Sequence, residues 1–153
     1  MMKLEWIQTD RENSDFTALC QLLNRELVLK LSGSGDPISS RADKTDDFET
    51  VLLAKTNLVP VACAALRPFS TDTAELKRMY VLPERRNHGL GSILLGKCEE
   101  IARYRNYRFL VLETNILLPD AKRLYEKNGY VKRASYGPFA SLQETICMQK
   151  ALF

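Results

Sequence analysis

Glu75-Leu76-Lys77-Arg78-Met79-Tyr80-Val81-Leu82-Pro83-Glu84-Arg85-Arg86-Asn87-His88-Gly89-Leu90-Gly91 is the run from which the rest of this chain can be interpreted. Leu76 to Leu82 has the character of a strand, and Pro83 ends it, because proline cannot donate to a ladder. A short loop follows with Arg86, Gly89 and Gly91, and an amphipathic helix opens at about Leu90. The first backbone N–H groups of a helix have no partner within it, and the helix dipole adds partial positive charge there. Glycine lets a ligand come close to the main chain, so strand–Arg-x-x-Gly-x-Gly–helix is a cradle for a phosphate. The spacing is not Gly-x-Gly-x-x-Gly, and no Gly-Lys-Ser/Thr follows, which sets aside the dinucleotide fingerprint and the P-loop.

Downstream, Phe109-Leu110-Val111-Leu112-Glu113-Thr114 is the near-continuous apolar run of a strand covered on both faces. Pro119-Asp120-Ala121-Lys122-Arg123-Leu124-Tyr125-Glu126-Lys127-Asn128-Gly129-Tyr130 then reads as a helix, with Pro119 suited to its first turn and Gly129 to a left-handed cap. Arg86, Gly89 and Gly91 resemble the acyl-CoA loop of the GNAT superfamily of N-acyltransferases, Arg/Gln-x-x-Gly-x-Gly/Ala after a strand. Leu124, Tyr125, Glu126, Gly129 and Tyr130 resemble that superfamily's later helix motif. The two motifs stand in the expected order with a helix between them, and the resemblance covers roughly residues 74 to 150.

A chain of 153 residues is long enough for one domain with its own core, and residues 1–153 are read as a single GNAT-like domain. Apolar residues at 45% and charged ones at 27% exclude disordered and membrane classes. The N-terminus lacks the apolar core of a signal peptide and no apolar run reaches membrane-spanning length, so a cytoplasmic protein without membrane association is expected. Cys20, Cys63, Cys98 and Cys147 are scattered, and with a single histidine no metal site is expected. A net charge of +3 is too small for a nucleic-acid binder, so no nucleic-acid partner is expected. Arg85, Arg86, Lys97, Arg103, Arg105 and Arg108 still cluster along the sequence. They read as a landing surface for a polyanion, a nucleic-acid patch, or the solvated face of a helix.

Periodicity supplies the remaining elements. Lys3 to Gln8 is a strand, and Ser14 or Asp15 caps a helix to about Leu31 with a stripe of Phe16, Leu19, Leu22, Leu23, Leu27 and Leu31. The segment from Ser32 to Asp47 reads as a loop with a short helix. Glu49–Lys55 and Leu58–Arg67 form a hairpin turning at Thr56-Asn57, with Thr73–Leu82 alongside. Helices are expected at Leu90–Tyr104 and Pro119–Asn128, a strand at Phe109–Asn115, and an antiparallel pair at Tyr130–Arg133 and Glu144–Lys150. Periodicity alone gives α/β or α+β. The resemblance implies a mixed, mostly antiparallel twisted sheet of about seven strands with flanking helices.

The resemblance also implies acetyl-CoA as co-substrate and direct attack by a primary amine of a small molecule in a ternary complex. Such chemistry needs a base for the amine, a donor for the oxyanion and an acid for the thiolate. Glu75, eleven residues before Arg86, is the candidate base; the plain alternative is a surface glutamate paired with Lys77 or a neighbour. Tyr125 is the candidate acid, against the alternative of a core tyrosine. Met79, Tyr80 and Val81 are assigned to the co-substrate through their main chain, and Arg86, Asn87, His88, Gly89, Leu90, Gly91 and Ser92 to its phosphates. Asn115 stands where many relatives have glycine, either in a left-handed turn or touching pantetheine or substrate. The family also allows a homodimer. Two rival activities use the same machinery: a catalytically weak acyl-CoA-binding sensor, and a protein or peptide N-acetyltransferase.

Overall fold

The structure, a computed structural model, describes residues 3–32 and 47–153. The loop expected from Ser32 to Asp47 therefore lies almost wholly outside the described residues. One seven-stranded sheet carries β1 (Leu4–Thr9), β2 (Thr50–Thr56), β3 (Val59–Pro68), β4 (Thr73–Val81), β5 (Phe109–Asn115), β6 (Val131–Arg133) and β7 (Thr145–Ala151). Its spatial order is β1-β2-β3-β4-β5-β7-β6, and all neighbours are antiparallel except β4 and β5. Helix α1 (Ser14–Lys30) follows β1, α2 (Leu90–Tyr104) follows β4, and α3 (Pro119–Lys127) follows β5.

The two faces of the sheet bury separate cores. α1 lays Phe16 and Leu19 against Val51, Leu53, Cys63, Ala65 and Tyr80. On the other face α2 buries Leu94, Leu95, Cys98 and Ala102 against Leu76, Leu110 and Leu112, with Tyr125 and Tyr130 in the same cluster. Tyr130 donates to Glu99 Oε2 at 2.9 Å while Lys150 holds Oε1 at 2.8 Å. Glu99 is thus a buried carboxylate with partners for both oxygens, as a charge taken from water requires.

Local chemistry shifts three details from their expected places. The cap of α1 is Asn13, whose Oδ1 accepts from Asp15 N and Phe16 N, so Ser14 and Asp15 begin the helix. Leu22 faces outward, 37% exposed, rather than joining the apolar stripe. The β2–β3 hairpin turns at Asn57-Leu58, one residue later than expected, with φ of 50° and 67°. Two consecutive left-handed residues make the mirror-image turn whose twist matches a hairpin.

Candidate active site

β4 and β5 pair over Thr73–Glu75 and Phe109–Val111 and then part. β5 continues to Asn115 by pairing with β7, while β4 runs on to Val81 along β3. The β3–β4 register shifts between Cys63 and Ala65, a bulge with Arg78 at φ 55°. Arg78 holds that bulge to α1, donating to Cys20 O at 3.1 Å and Asn24 Oδ1 at 2.7 Å. The parting strands open a wedge, and a cavity of about 1280 Å³ runs through it from the α2 N-terminus to Glu75 and Tyr136.

One end of this cavity is main chain. Asn87 (φ 66°) and Gly89 (φ 85°) are both left-handed, and Gly89 precedes α2 without a capping side chain. The first-turn N–H groups therefore have no capping side chain, and Gly89, Gly91 and Ser92 line the cavity. A side chain at Gly89 would meet nothing within 4 Å, and one at Gly91 would meet Leu124 Cδ2 of α3 at 3.0 Å. Gly91 thus serves helix packing, and Gly89 serves backbone conformation. Asn128 ties the end of α3 to this turn, donating to Ser92 Oγ at 3.0 Å.

The expected phosphate residues divide. Arg86 lines the cavity, but its guanidinium is engaged by the protein, donating to Val81 O at 2.8 Å and to Glu26 on α1 at 2.9 Å. Asn87 lines the cavity, whereas His88 is exposed outside the lining and Leu90 is buried in the core. Met79 and Val81 line the cavity with side chains that pack on the α2 face, and Tyr80 packs on the α1 face beneath Arg86, 5.4 Å from its ring centroid. Asn115 lies outside the lining, against expectation. It is an extended β5 residue, 1% exposed, whose Oδ1 accepts from Leu117 N at 2.8 Å and closes the turn into α3.

Three more members of the basic cluster seen along the sequence are engaged with the protein. Arg105 bonds Glu49 at 2.8 Å, Arg103 donates to Leu152 O at 2.7 Å, and Lys97 lies over the Trp6 ring. These arginines sit at the far end of α2 from the glycine turn.

Both residues of the expected chemistry line the wedge. Tyr125 is 9% exposed, with its hydroxyl 3.9 Å from Met79 Sδ, and burial pushes its pKa up to about 12. Such a phenol stays protonated at neutral pH. Glu75 sits where the strands part. Its carboxylate is 13% exposed and faces Arg67 Nε at 3.8 Å and Tyr136 Oη at 2.9 Å, rather than Lys77. Among the described residues no group of three or more His, Cys, Asp or Glu could hold a metal, and no helix is long and apolar enough to cross a membrane.

The wedge between β4 and β5 ends at a helix turn without a capping side chain, and the acetyltransferase (GNAT) family model matches residues 16–130. The chain belongs to that family. It is an N-acyltransferase. Among its GNAT relatives, an IAA acetyltransferase of Azospirillum brasilense is 32% identical over 129 residues, covering 77% of this chain and 82% of that protein. An aminoalkylphosphonate N-acetyltransferase of Salmonella typhimurium is 31% identical over 133 residues, covering 84% of each. A crystal structure described as an acyl-CoA N-acyltransferase of Klebsiella pneumoniae superposes with a TM-score of 0.80 at 28% identity, covering 100% of this chain and 99% of that one.

Motif reading misses the GNAT site's long-range partners. Glu26, Arg67 and Tyr136 line the cavity from α1, β3 and the β6–β7 connection. None belongs to a spaced pattern with the site residue it contacts, so no local signal marks them.

Proposed function

We propose that this GNAT protein transfers an acetyl group from acetyl-CoA to the primary amine of a small molecule, by direct attack within a ternary complex. The wedge carries the reading: an open helix turn at one end, a carboxylate at the other, and a buried phenol between them. The first-turn N–H groups of α2 bind the phosphates, and the free edge of β4 aligns the pantetheine arm. Glu75 takes a proton from the acceptor amine, directly or through water, and the amine nitrogen forms its bond to the thioester carbon. As the tetrahedral species collapses the carbon–sulfur bond breaks, and Tyr125 gives its proton to the leaving thiolate. Support comes from relatives that act on small molecules and from the shared fold of a Thermoplasma acidophilum N-acetyltransferase in complex with coenzyme A, TM-score 0.73.

Calorimetric titration with acetyl-CoA, with adenosine as control, tests the first half. Micromolar binding of acetyl-CoA alone supports the cradle; no binding sinks it. Thiol release with a panel of small primary amines tests the second half. Saturable acetyl-CoA binding with release from peptide lysines alone would replace the small acceptor by a protein.

A further inference from the structure

We infer that Tyr136 is a positioning residue for acceptor deprotonation, resting on the reading of Glu75 as the base: it closes the β6–β7 connection across the acceptor end of the wedge and fixes the Glu75 carboxylate there. Its hydroxyl donates to Glu75 Oε2 at 2.9 Å. Its ring lies against Phe69, beyond the end of β3, with centroids 4.7 Å apart and a tilt of 39°. The Arg133 guanidinium covers both rings, 5.2 Å from Tyr136 and 5.6 Å from Phe69. Arg133 is itself held by Gln149 Oε1 at 3.1 Å and Ala134 O at 3.0 Å. One side chain thus joins segments about sixty residues apart in sequence, from the β3–β4 hairpin to the β6–β7 connection.

The contact bears on chemistry because of what it does to a carboxylate. Glu75 is in register with Val111 on β5 and Arg67 on β3, and Glu113 lies two residues beyond Val111 on the same sheet face. Among the described residues, the charged and titratable groups around Glu75 are Arg67 from β3, Lys77 on its own strand, Glu113 from β5, Arg133 from β6, Cys147 from β7, and Tyr136. A glutamate side chain has several rotamers, and a directed hydrogen bond holds it in one. Arg67 faces Oε1 from 3.8 Å, an ion pair beyond hydrogen-bond reach, and Tyr136 makes the directed bond to Oε2. The remaining lone pairs are left to the amine or its bridging water. Losing that donor frees the Glu75 side chain to leave the position it holds beside Tyr136, so turnover falls while acetyl-CoA binding stays.

The test compares Tyr136→Phe, Glu75→Gln and the double variant in the full chain. Phenylalanine keeps the ring on Phe69 and removes only the donor. Thiol release is followed with 2-phenylethylamine and 2-aminoethylphosphonate as acceptors, and the Glu75 carboxyl carbon is observed directly by NMR of carbon-13-labelled glutamate, which needs no acceptor. The expected result is a Glu75 signal that shifts and broadens in Tyr136→Phe as the side chain leaves its single rotamer, with kcat down about tenfold and acetyl-CoA affinity unchanged. Tyr136→Phe adds nothing in the Glu75→Gln background. An unchanged Glu75 signal in Tyr136→Phe overturns the inference whatever the amines do, and where Glu75→Gln still loses turnover, Glu75 stands as base with Tyr136 mere packing. Should Glu75→Gln keep the parental rate, the base assignment falls and Tyr136's role with it. Acetyl-CoA binding reports on the cradle separately in every variant.

Discussion

The two ends of the cavity are built by different means. At the α2 end the groups proposed for the phosphates are backbone N–H groups, shaped by two left-handed residues and one glycine packed under Leu124. At the Glu75 end they are side chains from β3, β4 and the β6–β7 connection, joined by a hydrogen bond, an ion pair and an aromatic stack. A backbone site is a property of a short contiguous stretch and tolerates little change at its glycines. A side-chain site is assembled from separate segments, and single residues can be exchanged without unmaking the fold. The first suits a constant ligand and the second a variable one.

The contrast is most vulnerable at Gly91. Gly91→Val places branched carbons where a Cβ already meets Leu124 Cδ2 at 3.0 Å, so the Leu124 side chain must give way and the packing of α3 on the turn is disturbed. Acetyl-CoA affinity should fall about a hundredfold, roughly 2.7 kcal/mol, by calorimetry, with the circular dichroism spectrum retained. Parental affinity would mean the α2 end is not a backbone site.

Tyr125→Phe probes the middle of the wedge. It should lower kcat about 10- to 100-fold while leaving acetyl-CoA affinity in place. An unchanged rate removes the phenol as acid. The same residue predicts a pH effect. Its folded pKa of about 12 exceeds the ordinary value of 10, so the folded chain keeps a proton that the unfolded chain releases. Its contribution to stability is complete below pH 10 and lost as pH rises towards 12. Thermal melts should show that decline, and it should be shallower in Tyr125→Phe.

Smaller changes test each end more finely. Asn128→Ala removes the bonds to Ser92 Oγ and Leu124 O, and should cost about 1 kcal/mol of stability with acetyl-CoA binding a few-fold weaker. Glu26→Gln weakens the hold of α1 on Arg86. It should tighten acetyl-CoA binding by no more than about threefold at low salt, because the pair is partly exposed and screened. A larger effect would make the Arg86 side chain, rather than the main chain, the chief phosphate group.

Much of this architecture is legible in the order of residues. α2 runs from Leu90 to Tyr104 and β5 from Phe109 to Asn115, the bounds that apolar period and flanking breakers give. Gly129 takes the left-handed cap at φ 92°, and β6 and β7 form the antiparallel pair that closes the sheet. The departures share a cause. Asn13, one residue ahead of the expected cap, prevails because its short amide reaches two N–H groups, a choice geometry makes and composition does not. The family pattern suggests a ligand or a left-handed turn at Asn115, but β7 holds it extended and its side chain bonds locally. Arg103 and Arg105 look like a charged surface because sequence neighbours resemble spatial neighbours, yet each finds a private partner on a distant segment.

The elements, the left-handed glycine turn before α2 and the family follow from the order of residues, because each depends on residues within a turn or two of one another. Where β4 and β5 part, which arginines are committed elsewhere, and the meeting of Tyr136 with Glu75 across sixty-one residues arise only in the folded chain. Contacts of that separation leave no period or spacing along one chain. They exist only once the sheet has brought its strands into register.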